Sequence, residues 1–210
     1  FLPNIYFYFF HVDKLKFIDR LTRRLANVNI LYVKVFQAIA LNNSLIDENT
    51  NNTLLKFTDN APWTKDDIDV DTLNALKEDQ QLVICDGVYQ PINSGMISLV
   101  FKATRISDDS NVIIKIKRRM IERKLKDAID NLMFFMYFLS LFPLVKKYQL
   151  AEVVNKNIDI IKHQINFYEE VENLLKIKNN GKHLKYVKIP EVFKEVTDKY
   201  PNVILMEQID

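Results

Sequence analysis

Cysteine, glycine and tryptophan are nearly missing from this chain, which has one Cys, three Gly and one Trp in 210 residues. The single Cys85 excludes an internal disulfide framework and suits a reducing compartment. Glycine is so sparse that no low-complexity linker exists, and the chain reads as continuous folded structure. The three histidines, His11, His163 and His183, show no spacing that completes a metal site with the cysteine, so no metal centre is expected. An excess of one charge is missing too, because 29 basic residues face 27 acidic ones for a net charge of +2. Nucleic-acid-binding domains concentrate Lys and Arg on one face, and no nucleic-acid partner is expected here. Lys115, Lys117, Arg118, Arg119, Arg123 and Lys124 do cluster. Glu122 and Asp127 interrupt them, and the cluster reads as a solvated face.

Long hydrophobic runs are also lacking. A spanning helix needs about 20 consecutive apolar residues, and the two candidates, Phe1 to Val12 and Leu132 to Val145, are shorter. The second reads as a buried core helix. The first is compatible with the end of a membrane anchor. The chain opens on Phe1 and closes on Asp210 within an apolar run, and both ends read as cuts in a longer protein.

What is present is a 48% hydrophobic chain, enough to bury a core in one or two domains. Leu15, Ile18, Leu21, Leu25, Val28, Tyr32, Val35 and Ile39 recur at helical spacing and predict one helix over about 12–41. The Asn-rich stretch from Asn42 to Asn52 breaks it, although Leu45 and Ile46 can pack locally. A short helix is expected at about 51–58, ended by Pro62. Thr64 and Asp67 approximate a capping box that opens a helix to about Glu78. The pattern then turns strand-like at 82–92, 97–104 and 111–117, with turn residues from Ser107 to Asn111. Helix returns over about 121–142, and a long amphipathic helix is expected over 151–178, closed by Asn179, Asn180 and Gly181. Two last strands are predicted at 185–196 and 203–209, linked by a turn at 198–202. The fold class is α+β. Five antiparallel strands with a long helix inserted after the third is the layout of a kinase N-lobe.

Chemistry centres on Val112-Ile-Ile-Lys115. A kinase uses a lysine at the end of its third strand to hold the α- and β-phosphates, oriented by a carboxylate from the next helix. By itself a lysine at a strand end is usually just solvated. Glu169, Glu170 and Glu172 on the long helix are the candidate partners.

The segment from Gln164 to Asn173 (QINFYEEVEN) resembles the E-x-D-x-x-x-E-A-x-N signature of the UbiB/ADCK-type atypical kinase family. Leu31-Tyr-Val-Lys34-Val-Phe-Gln37 is similar to that family's F-I-K-x-G-Q motif, and the segment 54–62 to its L-x-x-L-Q-D-x-x-P. Residues 91–97 lie where the family carries an alanine-rich loop. Ile189-Pro-Glu-Val192 and then Val203 to Asp210 resemble its V-L-V-M-E-x-x-D hinge strand.

The resemblance spans about residues 20–210 and implies an αC-type helix whose Glu170 pairs with Lys115. It also implies a nucleotide site formed with Lys34, Gln37, Ser94, Gly95, Ile113, Met206 and Glu207. Residues 1–80 would form a helical extension carrying K-x-x-Q, and 81–210 the N-lobe up to the hinge, with the C-lobe absent from this chain. ATP and Mg²⁺ are the implied cofactors, a nucleotide and a lipid or membrane surface the implied partners. Quinone or lipid metabolism, in mitochondria or a similar compartment, is the implied setting. The catalytic and metal-binding Asp and Asn would lie beyond Asp210, so these residues alone are expected to be catalytically silent. A degenerate pseudokinase acting as a lipid- or partner-binding scaffold is the alternative.

Several positions depart from the family pattern. Phe36 stands where the family has glycine, Gln164 and Asn166 replace an acidic pair, and Met96 to Phe101 loses the polar residues of the loop. Ile113 stands where kinases place alanine against the adenine, sharing a strand face with Lys115. Overpacking a filled site costs typically ~1–3 kcal/mol.

Overall fold

The structure is a computed structural model that describes residues 14–42, 61–85, 90–141, 150–183 and 186–209. It divides into one unit of Phe1–Pro62 with Glu122–Ile160 and a second of Trp63–Ile121 with Ile161–Asp210. The short helix expected at 51–58, the packing of Leu45 and Ile46, the 54–60 motif and the aromatic segment 1–12 lie outside the described residues.

In the first unit, asparagine chemistry divides the helix expected over 12–41. Helix α1 (Lys14–Val28) stops one residue before α2 (Ile30–Asn42). Between them, Asn29 closes α1 through its N–H to Leu25 O at 2.9 Å. Its side-chain Oδ1 accepts from Leu31 N–H at 2.9 Å, capping the next helix. The opposite end of the same amide donates to Lys124 O at 3.4 Å, and Tyr32 Oη donates to Ala128 O at 3.3 Å, tying α2 to α4 (Ile121–Ser140). Leu31, Val33, Val35, Leu125, Ala128 and Met136 are buried, as are Val154 and Ile158 of α5 (Leu150–Ile165).

The second half of α4 corrects the buried-core expectation for 132–145. Among the described residues 132–141 only Met136 is buried; Phe134 is 76% exposed, Tyr137 71% and Leu141 63%. A helix that is apolar all round can turn only one arc toward a core, and here the opposite arc faces solvent. Residues 142–149 fall outside the described residues. No described helix is long and apolar enough to cross a membrane.

The second unit is built on a five-stranded antiparallel sheet. Strands β1 (Leu82–Ile84), β3 (Ser98–Arg105), β4 (Asn111–Lys117) and β5 (Val203–Glu207) run in that order across it, and β2 (Asn93–Ser94) also pairs with β3. The strand expected at 82–92 shortens to β1 at its start, and β2 forms just beyond its end on the same neighbour, with residues 86–89 not described. Among the described residues 186–196, no strand forms where one was expected at 185–196. Val192 makes one bridge to Met206, and α7 (Lys194–Lys199) follows, so the fifth strand is β2, at a place where no strand was expected.

Alternation sorts the sheet's side chains. Val112, Ile114 and Ile116 join Leu99, Phe101, Ala103, Val203 and Leu205 in a core closed by Leu73 and Leu76 of α3 (Val70–Asp79) and by Val196. Helix α3 begins later than the Thr64–Asp67 signal implied. Asp67 does accept from Thr64 N–H at 3.0 Å, but it closes only a 3₁₀ turn at Lys65–Asp67, and Asp69 caps the helix.

The opposite face carries Ile113, Lys115 and Lys117, and on this side Ile204 packs with Phe167 and Val171 of α6 (Phe167–Asn180). The helix expected over 151–178 is broken at Asn166, whose side chain accepts from Glu169 N–H at 3.4 Å and caps α6. Gly181 closes α6 as expected, donating its N–H to Ile177 O at 2.8 Å.

Candidate functional site

Strand β4 delivers Lys115 to the α6 side of the sheet because it sits one residue off the Ile114/Ile116 core positions. Helix α6 delivers Glu170 because Phe167 and Val171, three residues before it and one after, are its buried anchors. Lys115 Nζ donates to Glu170 Oε1 at 2.5 Å, with the two side chains 25% and 32% exposed. The Phe167 ring lies beneath them, its centroid 5.3 Å from Lys115 Nζ and 5.4 Å from Lys117 Nζ.

The three candidate glutamates therefore separate by partner. Glu169 turns to His163 Nδ1 at 2.9 Å and to Asn166 Nδ2 at 2.9 Å. Glu172 binds Lys194. Only Glu170 meets the strand lysine. The hydrogen bonds from His163 and then Asn166 hold the Glu169 carboxyl below its usual range, as the Lys194 ammonium does for Glu172.

Ile113 is half-buried on the same face, opposite Lys102 on β3 and Met206 on β5. Next along β5, Glu207 donates its backbone N–H to Glu191 O at 2.8 Å, and Gln208 donates its own to Asn111 O at 3.1 Å. A ligand seeking those two amides has to displace these bonds. The Glu207 side chain accepts from Glu191 N–H and pairs with Lys188 at 3.2 Å, and in that order the two hold its carboxyl below the usual range.

Ser94 and Gly95, the expected loop residues, occupy the β2–β3 hairpin. Ser94 is fully buried and its hydroxyl is bound by Arg118 Nη2 at 2.7 Å, while Gly95 O accepts from Arg118 Nε at 3.0 Å. Reading the 115–124 basic cluster as a solvated face therefore fails at Lys117 and Arg118, which are 8% and 7% exposed; Arg119, Arg123 and Lys124 are exposed. Arg118 gave no sequence signal because its acceptors come from segments 23–24 and 51 residues away. Burial draws the Arg118 guanidinium below its ordinary value, and Asp67 beside it opposes that shift. Lys34 and Gln37 lie one turn apart on α2, both half-buried in the first unit.

A kinase-like sheet whose β4 lysine meets a glutamate of α6 agrees with the comparisons to known proteins. The ABC1 atypical kinase-like domain matches residues 73–210. The chain belongs to the ABC1 atypical kinase-like family. Among its relatives, a "Probable protein kinase UbiB" of Shewanella piezotolerans (strain WP3 / JCM 13877) is 26% identical over 194 residues, covering 91% of this chain and 35% of that protein. A "Putative ABC transporter A445L" of Paramecium bursaria Chlorella virus 1 is 18% identical over 211 residues, covering 94% and 43%. A further "Probable protein kinase UbiB", from Shewanella baltica (strain OS185), is 25% identical over 193 residues. This ABC1-family chain spans 35% to 43% of the length of these curated relatives.

Proposed function

We propose that this chain is the nucleotide-binding N-lobe portion of an ABC1-type atypical kinase or ATPase that uses ATP. The Lys115–Glu170 pair carries the reading. A lysine held by one carboxylate and still a quarter exposed has its ammonium aimed and accessible, the state in which it can receive an anionic phosphate. In this role Glu170 orients Lys115, Lys115 binds the α- and β-phosphates, and Ile113 and Met206 line the adenine side. Ser94 and Gly95 bound the phosphate side, and Glu207 stands at the hinge. ATP, when bound, supplies the phosphoryl group, with Mg²⁺ to neutralise its charge. Among the described residues, no group of three or more His, Cys, Asp or Glu side chains could hold a metal ion, and Mg²⁺ is proposed to arrive with the nucleotide. The UbiB resemblance supports a setting in quinone or lipid metabolism at a membrane.

The test is ATP and ADP binding to the full-length protein, with and without Mg²⁺, in wild type and Lys115→Ala. Saturable binding that weakens with the substitution supports the reading. No binding at millimolar nucleotide overturns it in favour of a second reading, a nucleotide-free pseudokinase scaffold that engages a lipid surface or a partner protein. Phe134, Tyr137 and Phe138 on the solvent side of α4 motivate that second reading.

A further inference from the structure

We propose that Arg118, locked by Asp67, is a positioning residue that fixes the β2–β3 hairpin over the phosphate side of the site. The inference rests on the nucleotide reading above. The hairpin gains from an outside support because β2 is only two residues long and a two-stranded hairpin is marginal by itself. Arg118 supplies that support with nearly every group it has. Its guanidinium, a rigid fork of donors, reaches Ser94 Oγ at 2.7 Å, Gly95 O at 3.0 Å and Asp67 Oδ2 at 3.2 Å. Its backbone N–H donates to Ile97 O at 2.8 Å, and the next N–H, of Arg119, donates to Asp67 O at 2.8 Å. Three chain segments are thereby joined at one buried cation: the 3₁₀ turn, the hairpin tip and the end of β4.

The sheet register places this clamp where it can act on ligand binding. Asn93 pairs with Val100 and Val100 with Lys115, so the hairpin and the phosphate-binding lysine share one cross-strand row. Arg118 lies three residues beyond Lys115 on the same strand end. A shift of the hairpin tip relative to Lys115 changes the space for phosphates and leaves the Ile113–Met206 side, at the other end of the face, in place. Asp67 acts through Arg118: without its carboxylate, the buried guanidinium must turn toward another partner or water, and the tip is released.

The measurement is the binding of ATP, ADP and adenosine to the full-length protein in wild type, Asp67→Asn, Arg118→Lys, Ser94→Ala and the Asp67→Asn/Arg118→Lys double variant, with the Tm of each recorded. The expected result is a loss of about tenfold in ATP and ADP affinity, the scale of one charge-assisted hydrogen bond, with adenosine affinity nearly unchanged. The double variant should lose no more than the worse single one, because both act through one clamp. Ser94→Ala removes a single acceptor and keeps the ion pair, so it remains testable if the charged variants fold poorly, and a smaller loss confined to ATP and ADP is expected. ATP and adenosine affinities falling in parallel, or unchanged ATP affinity in all variants despite a lower Tm, would reduce Arg118 to structural glue and overturn the inference. Wild-type protein that binds no nucleotide removes the proposed function and this role together, whereas binding indifferent to all the substitutions removes this role alone.

Discussion

Lys115 and Glu170 meet at 2.5 Å although 55 residues separate them in the chain. Two periodicities, the strand alternation of β4 and the buried 167/171 pair of α6, aim both side chains into the same space. A pair exposed to this degree contributes only ~0–1 kcal/mol to stability. Lys115→Ala and Glu170→Gln are therefore expected to leave the Tm nearly unchanged. Both should weaken ATP binding, Lys115→Ala by about ten- to hundredfold for the lost charge-assisted contact and Glu170→Gln by less. Isothermal titration alongside thermal unfolding separates the two effects.

Ile113 offers a gain of binding. It fills the position beside Lys115 with three carbons more than alanine, and overpacking of that kind costs typically ~1–3 kcal/mol. Ile113→Ala is expected to tighten ATP binding by roughly tenfold, at a cost in stability smaller than the ~2–5 kcal/mol of a fully buried Ile→Ala change. Unchanged or weaker ATP binding in a folded variant would show that the wall is not overpacked.

Asn166 keeps a structural role where a charge is absent. Its side-chain oxygen caps α6, so Asn166→Ala should lower stability by ~1 kcal/mol and loosen the placement of Glu170. Asn166→Asp retains the cap oxygen but loses the Nδ2 donor to Glu169 and sets two carboxylates side by side, so it too is expected to lower the Tm at neutral pH. Chemical denaturation of the two variants checks both.

Phe101 is fully buried in the sheet core among Leu99, Leu73 and Leu76. Phe101→Ala is expected to cost ~3–5 kcal/mol, read as a fall in the denaturation midpoint, whereas Phe134→Ala on the exposed arc of α4 should change it little.

Acid should destabilise the protein through carboxylates paired in the folded state. Glu169, Glu172 and Glu207 are held below their ordinary value of 4.5, chiefly by His163, by Lys194 and by the Glu191 backbone N–H. A carboxyl depressed by folding stabilises fully above its unfolded value and loses that contribution as pH falls through its folded value. The Tm is expected to be flat above about pH 5 and to fall below it. In Glu172→Gln that acid-side fall should be shallower, as thermal unfolding across a pH series can show.

Much of this was legible in the sequence because it rests on local pattern. Alternation in 111–117 identified β4 and put Ile113 and Lys115 on one face. The signature around 164–173 selected Glu170 from three glutamates, and the geometry agrees with that choice. Asparagine was the main obstacle. At 29 and 166 the apolar period runs on through the residue, and only the backbone shows that its side chain has turned to cap the following helix. The exposed arc of α4 was equally hidden, since a run apolar on every side does not say which arc finds a core.

The sequence alone supplied the alternation of β4, the family resemblance and, through that resemblance, Glu170 as the partner of Lys115, because alternation and motif are local to one strand or one helix. Tertiary structure decided that Arg118 is a buried clamp rather than a solvated cation, and that β2 joins β1 on the same neighbour. It also decided that Glu169 and Glu172 belong to other partners. Each of these outcomes depends on acceptors or strands brought in from distant segments, and no local pattern records which of them will arrive.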